Sequence, residues 1–292
     1  SSSVWGDSAV FREHMHEIVR DFSRIRLDDV PRPKVGIVGE ILLKYHPDAN
    51  NQVAQHIREE GGEPVLTDLM DFFLYCSMDP VYSWKRLGGR VLPALTSWFF
   101  IRRVESLRKA MRQALKGSRF LPVSRIGDLA SSVRGIISRG NQAGEGWLLT
   151  AEMLELIDHG VNNVLCLQPF GCLPNHITGK GVMKELKRLR PHANLMAVDY
   201  DPGSSEANQL NRIKLFMSVA HTGLEQQGEA SCPETPCPGA KPAEQRETGR
   251  DASAQRRCGG ETLSPVRAAE NLACRACSLA KGLQEPGHGV QS

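Results

Sequence analysis

The chain has 292 residues, 40% hydrophobic and 24% charged, with eight cysteines and a formal net charge of +3. That charge gives no reason to expect a nucleic-acid partner, and the longest nearly apolar run, Val91 to Ile101, is far short of the about 20 residues a membrane span needs. No basic start followed by an apolar stretch marks a secretory signal, and no membrane partner is expected; Cys76, Cys166 and Cys172, well separated, do not look like a disulfide framework, so the chain is read as cytoplasmic.

Composition breaks at Thr222. From there to Ser292 no Phe, Trp, Tyr, Ile or Met occurs, which is too little apolar surface to offset the entropy of ordering. The expected organisation is an N-terminal helix and connector over 1–30, one α/β domain over 31–221 and a disordered tail over 222–292. The Ser-Ser-Ser start without Met suggests a piece of a longer product.

Asp7 to Leu27 carries Phe11, Met15, Ile18, Val19 and Phe22 at helical spacing, and Pro31 and Pro33 close it. Lys34–Gly39 is an apolar run of the buried parallel-strand kind. A polar loop, Glu40 to Asn50, leads to a helix over Asn51–Glu60 and a strand over Glu63–Thr67. Together they make a βαβ unit. Helices follow over Pro93–Lys116, Ile126–Arg139 and Trp147–His159. In the first of these Arg102, Arg103, Arg108, Lys109 and Arg112 are read as a solvated face. The β/α rhythm then resumes with a strand over Asn163–Gln168, a helix over Gly181–Arg190, a strand over Asn194–Asp199 and a helix over Ser204–His221. Four strands so spaced predict an open parallel Rossmann- or flavodoxin-like α/β sheet with inserted helices.

Ligands of such sheets bind beyond the carboxyl ends of the strands. The rule selects Glu40–Asn50, Asp68–Cys76, Pro169–Lys180 and Tyr200–Glu206. The first offers Glu40, Lys44, Tyr45, His46, Asp48 and Asn50. The third offers Cys172, Asn175, His176 and Lys180. The fourth region offers Asp199, Asp201 and Glu206, followed by Asn208, Asn211 and Arg212.

The third loop is the most specific. Over Leu167–Gly181 two prolines and three glycines fix an irregular backbone around one thiol, and a following helix N-terminus with Lys180 would favour a thiolate at Cys172. Cys172 is then either a ligand or nucleophile, or a small buried residue in a tight turn. Cys166 lies inside a strand and is read as core. Cys76 either reaches a shared site or packs. His46 and His176 are candidate proton donors, or simply solvated rings. Cys232, Cys237, Cys258, Cys274 and Cys277 fall in the tail at irregular intervals without apolar support, which argues against a zinc fold.

Five ordered stretches carry a resemblance. They are Lys34-Val-Gly-Ile-Val-Gly-Glu-Ile-Leu42, Leu69-Met-Asp-Phe-Phe-Leu-Tyr-Cys76, Gly144-Glu-Gly-Trp-Leu-Leu-Thr-Ala-Glu-Met153, Gln168-Pro-Phe-Gly-Cys-Leu-Pro-Asn-His176, and Asp199-Tyr-Asp-Pro-Gly203 with Asn208-Gln-Leu-Asn-Arg212. Over roughly residues 30–220 the chain resembles the large activase-related relatives of 2-hydroxyacyl-CoA dehydratases. The resemblance implies an oxygen-sensitive iron–sulfur cluster, [4Fe-4S] in type, held by cysteine thiolates. An ATP-using activator domain or subunit delivers a low-potential electron to it, and the acyl-CoA thioester is the acceptor in true dehydratases. Cys172 sits where the resemblance places a ligand, and Cys76 is the second candidate. Asn175 and Lys180 would line the cofactor, with Glu40, His46 and His176 as catalytic candidates.

A cluster needs about three or four cysteines, and residues 1–221 hold three. The expectation is therefore a C-terminal part of a larger protein whose other part supplies the remaining ligands and the ATP site, with this part inactive alone. The competing expectation is a non-catalytic docking or regulatory domain that binds an activator or a CoA-like ligand through Lys180, His46 and Arg212. A nucleotide site on the first βα loop is disfavoured, since no G-x-G-x-x-G follows the strand.

Overall fold

The computed structural model describes residues 8–27, 30–201, 203 and 205–230. Four strands, β1 (Lys34–Gly39), β2 (Glu63–Leu66), β3 (Asn163–Pro169) and β4 (Asn194–Tyr200), form one sheet in the order β2-β1-β3-β4 with every pairing parallel. This is the first part of the flavodoxin-type order, and its topological switch point lies between β1 and β3. The strands were legible because both faces of such a sheet are covered. Val38, Val164, Cys166, Leu195 and Ala197 pack on one face, and Val35, Ile37, Leu165, Leu167 and Val198 on the other.

The second face is covered by α3 (Val53–Glu59) and α10 (Glu206–Ala230) through Val53, Ile57, Ile213, Phe216 and Met217. The first is covered by α7 (Gly146–Asp158) and α9 (Met183–Leu189), with α6 (Ile126–Ser132) packed on the outside of α7. Eleven of the thirteen residues of α7 are buried, so it is a central helix enclosed on all sides. Among the described residues no helix is long and apolar enough to cross a membrane.

Several expected loops contain helices. Glu40–Asn50 holds α2 (Ile41–Tyr45), and Pro169–Lys180 holds α8 (Leu173–Thr178), followed by a 3₁₀ turn at Lys180–Val182. Asp68–Cys76 is the opening of a nineteen-residue helix, α4 (Leu69–Leu87). The Asp68 carboxylate accepts the Met70 N–H at 2.9 Å, and Gly88 closes the helix in the left-handed region at φ +68°.

After that turn α5 (Val91–Leu115) runs back along α4 as a hairpin, and α1 (Ser8–Ser23) packs on α5. The solvated-face reading of α5 fails at Arg108. Its side chain is buried, 3.1 Å from Asp68 Oδ2, 2.6 Å from Asp71 Oδ1 and 3.8 Å from Glu105 Oε1. The Asp71 contact lies outside hydrogen-bond geometry and acts as a charge pairing. The expected helix over Ile126–Arg139 ends at Ser132. The last helix continues past His221 to Ala230, into the stretch expected to be tail. The tail cysteines lie outside the described residues.

Candidate functional site at the carboxyl edge

The switch point fixes where the site lies. At the end of β1 the chain makes a turn that requires Gly39, whose φ is +132° and where a Cβ would collide with the Leu167 carbonyl of β3. Glu40 follows. Its Oε2 accepts the Leu43 N–H at 3.0 Å, capping α2, and its own N–H donates to Leu167 O at 2.9 Å. The Glu40 carboxylate is thus engaged as a helix cap rather than held ready as a base.

The organising group is Glu145, in the turn before α7. It is 3% exposed and reaches across more than a hundred residues of sequence to accept the Ile41 N–H at 2.8 Å. Its other oxygen accepts from the Asn175 amide at 3.1 Å, and the Asn175 oxygen accepts the Glu40 N–H at 3.2 Å, with the amide oriented to satisfy both neighbours. Glu145 therefore ties the start of α2, after β1, to α8, after β3. Burial raises its pKa above the ordinary carboxylate range, opposed by the Ile41 N–H. Gly146 beside it, at φ +46°, leaves no room for a Cβ against Asn141 O and the Tyr75 hydroxyl. Tyr75 in turn meets Trp147 edge-on at 5.3 Å.

One turn deeper lies a closed ion pair. Lys44 Nζ donates to Glu152 Oε1 at 2.8 Å, Glu152 Oε2 at 3.1 Å and Thr67 Oγ1 at 3.1 Å, and both charged side chains are almost fully buried. Burial alone would lower the Lys44 pKa, but the Glu152 carboxylate and Tyr45 together hold it above its ordinary value. Asn50 is used in the same way, donating to Leu43 O at 2.6 Å and accepting the Val53 N–H at 3.1 Å. Lys44 and Asn50, which looked available in the sequence, are structural pins.

The thiols separate. Cys166 is buried in the core against Gly179, and burial pushes its thiol up to about 12, as expected for a packing residue. Cys172 is half-buried at the residue preceding α8, and its side chain does not cap that helix. The helix that begins here is the six-residue α8, not the expected Gly181–Arg190 helix. Lys180 lies 3.7 Å from Asp199 Oδ2, so its charge is shared with that carboxylate. Asp199 also accepts from Gln168 Nε2. Cys76 is exposed on the third turn of α4. Burial raises its pKa first, followed by Asp79, with Glu145 contributing.

His176 Nδ1 lies 2.8 Å from the Cys172 carbonyl oxygen. A carbonyl only accepts, so Nδ1 is the donor in this contact, which leaves Nε2 as the ring nitrogen free to meet another group. His46 is exposed at the C-terminal end of α2, where its N–H donates to Leu42 O and its carbonyl accepts the Asn50 N–H, and its side chain joins none of these contacts. Arg212 donates to Ala197 O at 2.8 Å and pins α10 to β4. Glu145 and Glu152 were missed as site residues. The only sequence signal was three acidic residues, Glu145, Glu152 and Glu155, inside an otherwise mostly apolar segment, Gly144–Ile157.

Around this polar interior the carboxyl edge is rimmed by exposed apolar side chains: Leu42 after β1, Leu66, Leu69 and Phe73 at and after β2, and Phe170 and Leu173 after β3. Among the described residues no group of three or more His, Cys, Asp or Glu is placed to hold a metal ion. A complete iron–sulfur ligand set is thus not present in this arrangement, and Cys172 fits at most as one ligand of a shared site. Comparison with protein-family models, curated proteins and solved structures returned no match.

Proposed function

We propose that this chain presents one face of a shared electron-transfer site of the 2-hydroxyacyl-CoA dehydratase and activase type. In this reading Cys172 is one thiolate ligand of an iron–sulfur cluster, and a partner surface supplies the rest. The observation that supports it is convergence. Five stretches spread over more than 160 residues of sequence meet at one sheet edge. Glu145 of the third holds Ile41 of the first and Asn175 of the fourth. Tyr75 of the second packs on Trp147 of the third, and Gln168 of the fourth holds Asp199 of the fifth. The resemblance rests on those same stretches; strand direction brings them to one edge, and the contacts between their side chains tie them together there. The ATP-dependent activator and an acyl-CoA acceptor belong to the same proposal, on parts or partners outside this chain.

The chain's own contribution is positional. The glycine turn at 39, the Glu145 bridge and the His176 contact fix the backbone that carries Cys172, and the apolar rim would exclude water once a partner covers it. Anaerobic reconstitution of the chain together with its activator partner, with iron and sulfide, tests the ligand role. The C172A variant should lose cluster absorbance and iron content, while C166A should keep them. Equal iron retention in C172A and the parent would overturn the ligand assignment.

A second reading, a non-catalytic docking domain, is favoured by one observation. The polar groups at the edge already satisfy one another, Lys44 with Glu152 as an ion pair and Glu145 through the Ile41 N–H and the Asn175 amide, which suits a surface built to hold shape. In that case binding of the activator would be independent of iron and unaffected in C172A.

A further inference from the structure

The α4–α5 hairpin ends in a segment unlike the rest of the chain. The buried residues of α4 are Asp71, Leu74 and Tyr75, near its start, and those of α5 are Arg108, Ala110 and Ala114 near its end, with Ala94 alone in the distal half. The hairpin is thus anchored at its base, and its distal half contributes almost nothing to the core. That half exposes Trp84, Leu87, Leu92, Leu95, Trp98 and Phe99, with Leu87 at 71%, Leu92 at 69% and Phe99 at 64%. Trp84, Val91, Leu95 and Trp98 also line an apolar cavity of about 250 Å³ between the helices. A helix that is apolar on nearly every face is normally enclosed by something.

Charge narrows what that something is. From Pro80 to Arg103 the sequence holds Lys85, Arg86, Arg90, Arg102 and Arg103 and no Asp or Glu. The net charge of +3 hides this local concentration. Two copies of the tip would bring five cations against five, which disfavours self-pairing. Single-stranded nucleic acid stacks on aromatic rings but has no use for Leu87, Leu92 and Leu95. Exposed Trp, Phe and Leu beside Lys and Arg are the composition of a segment lying in the headgroup region of a bilayer, with the rings and aliphatics at the acyl boundary and the cations on lipid phosphates. Arg102 already lies over the Trp98 ring, 4.8 Å from its centroid, so charge and apolar ring are delivered together.

We propose that the tip of the α4–α5 hairpin docks on an anionic lipid surface. The expectation of no membrane partner rested on the lack of a spanning segment, and a hairpin lying in the interface needs none.

Flotation of the full chain with phosphatidylcholine vesicles, with and without added phosphatidylglycerol, tests this. Binding is expected to the anionic vesicles and to fall with added salt. The L92S/W98S double variant should lower the partition by about tenfold or more, since it removes two large apolar groups from the interface. R86Q/R90Q should weaken binding to anionic vesicles only. L215S, an exposed apolar substitution on α10, should leave binding unchanged, with circular dichroism confirming that each variant folds. The proposal is overturned if no vesicles are bound or if the tip variants bind like the parent. It is equally overturned if light scattering shows a dimer that L92S/W98S dissolves, or if a single-stranded oligonucleotide is bound through the tip and vesicles are not.

Discussion

At the base of the α4–α5 hairpin one cation, Arg108, is 2% exposed and faces Asp68, Asp71 and Glu105. At the tip five cations share a stretch without a single carboxylate, among exposed tryptophan, phenylalanine and leucine side chains. Burying a charge is tolerated only where opposite charge compensates it, so the base is an anchor completed within the chain. The burial of Asp71 is strong enough to push its carboxyl up to about 7 despite the nearby guanidinium. The tip instead sets its cations beside exposed rings and aliphatic side chains, as Arg102 over Trp98 shows, and is shaped for contact with something else. The carboxyl edge repeats the contrast on a smaller scale, with charges paired inside and an apolar rim outside.

The contrast predicts unequal costs. Replacing Arg108 with Met should have the largest effect, because it leaves acidic groups buried without their counter-charge. A loss of about 3–5 kcal/mol in urea unfolding is expected. A loss under about 1 kcal/mol would mean that the hairpin base is held by packing alone.

The Glu145 bridge should come next. E145Q preserves shape but sets an amide where a carboxylate accepted from both Ile41 N–H and the Asn175 amide. A loss of about 1–3 kcal/mol is expected, the range for leaving a buried polar group unsatisfied. The pH dependence has a definite sign. Burial raises the folded-state pKa of Glu145, so the native chain holds this proton to higher pH than the unfolded chain does. Its contribution to stability therefore declines as pH rises through the carboxylate range, and the decline should be absent from E145Q. Parallel curves for parent and variant would show that Glu145 does not titrate between the two states.

What the sequence revealed, and what it hid, follows the same division. Lys34–Gly39 and Asn163–Pro169 were readable because a parallel strand buried on both faces is a continuous apolar run. The edge was readable because it follows from strand direction alone. The short helices α2 and α8 were not, since five or six residues form no stable helix without tertiary support, and that support comes from Glu145. α4 was hidden by Phe72-Phe73 and by Pro80 inside it. Missing α4 in turn concealed the partners of Arg108, which made a buried cation look like one more charge on a solvated face. Lys44 was legible as a chemical group but not as a pin, because Glu152 lies 108 positions away.

The smallest expected effect falls at the tip and is the sharpest check on the comparison. If the distal half is free of the core, L92S removes apolar area that is already facing water and should change unfolding free energy by less than about 0.5 kcal/mol. The cavity between the helices gives W98S some contact to lose, against Trp84 and Leu95, so it should be the more costly of the two. A loss from L92S as large as that from E145Q would mean that the tip is packed within the fold. The exposed apolar surface would then not be open to an outside partner.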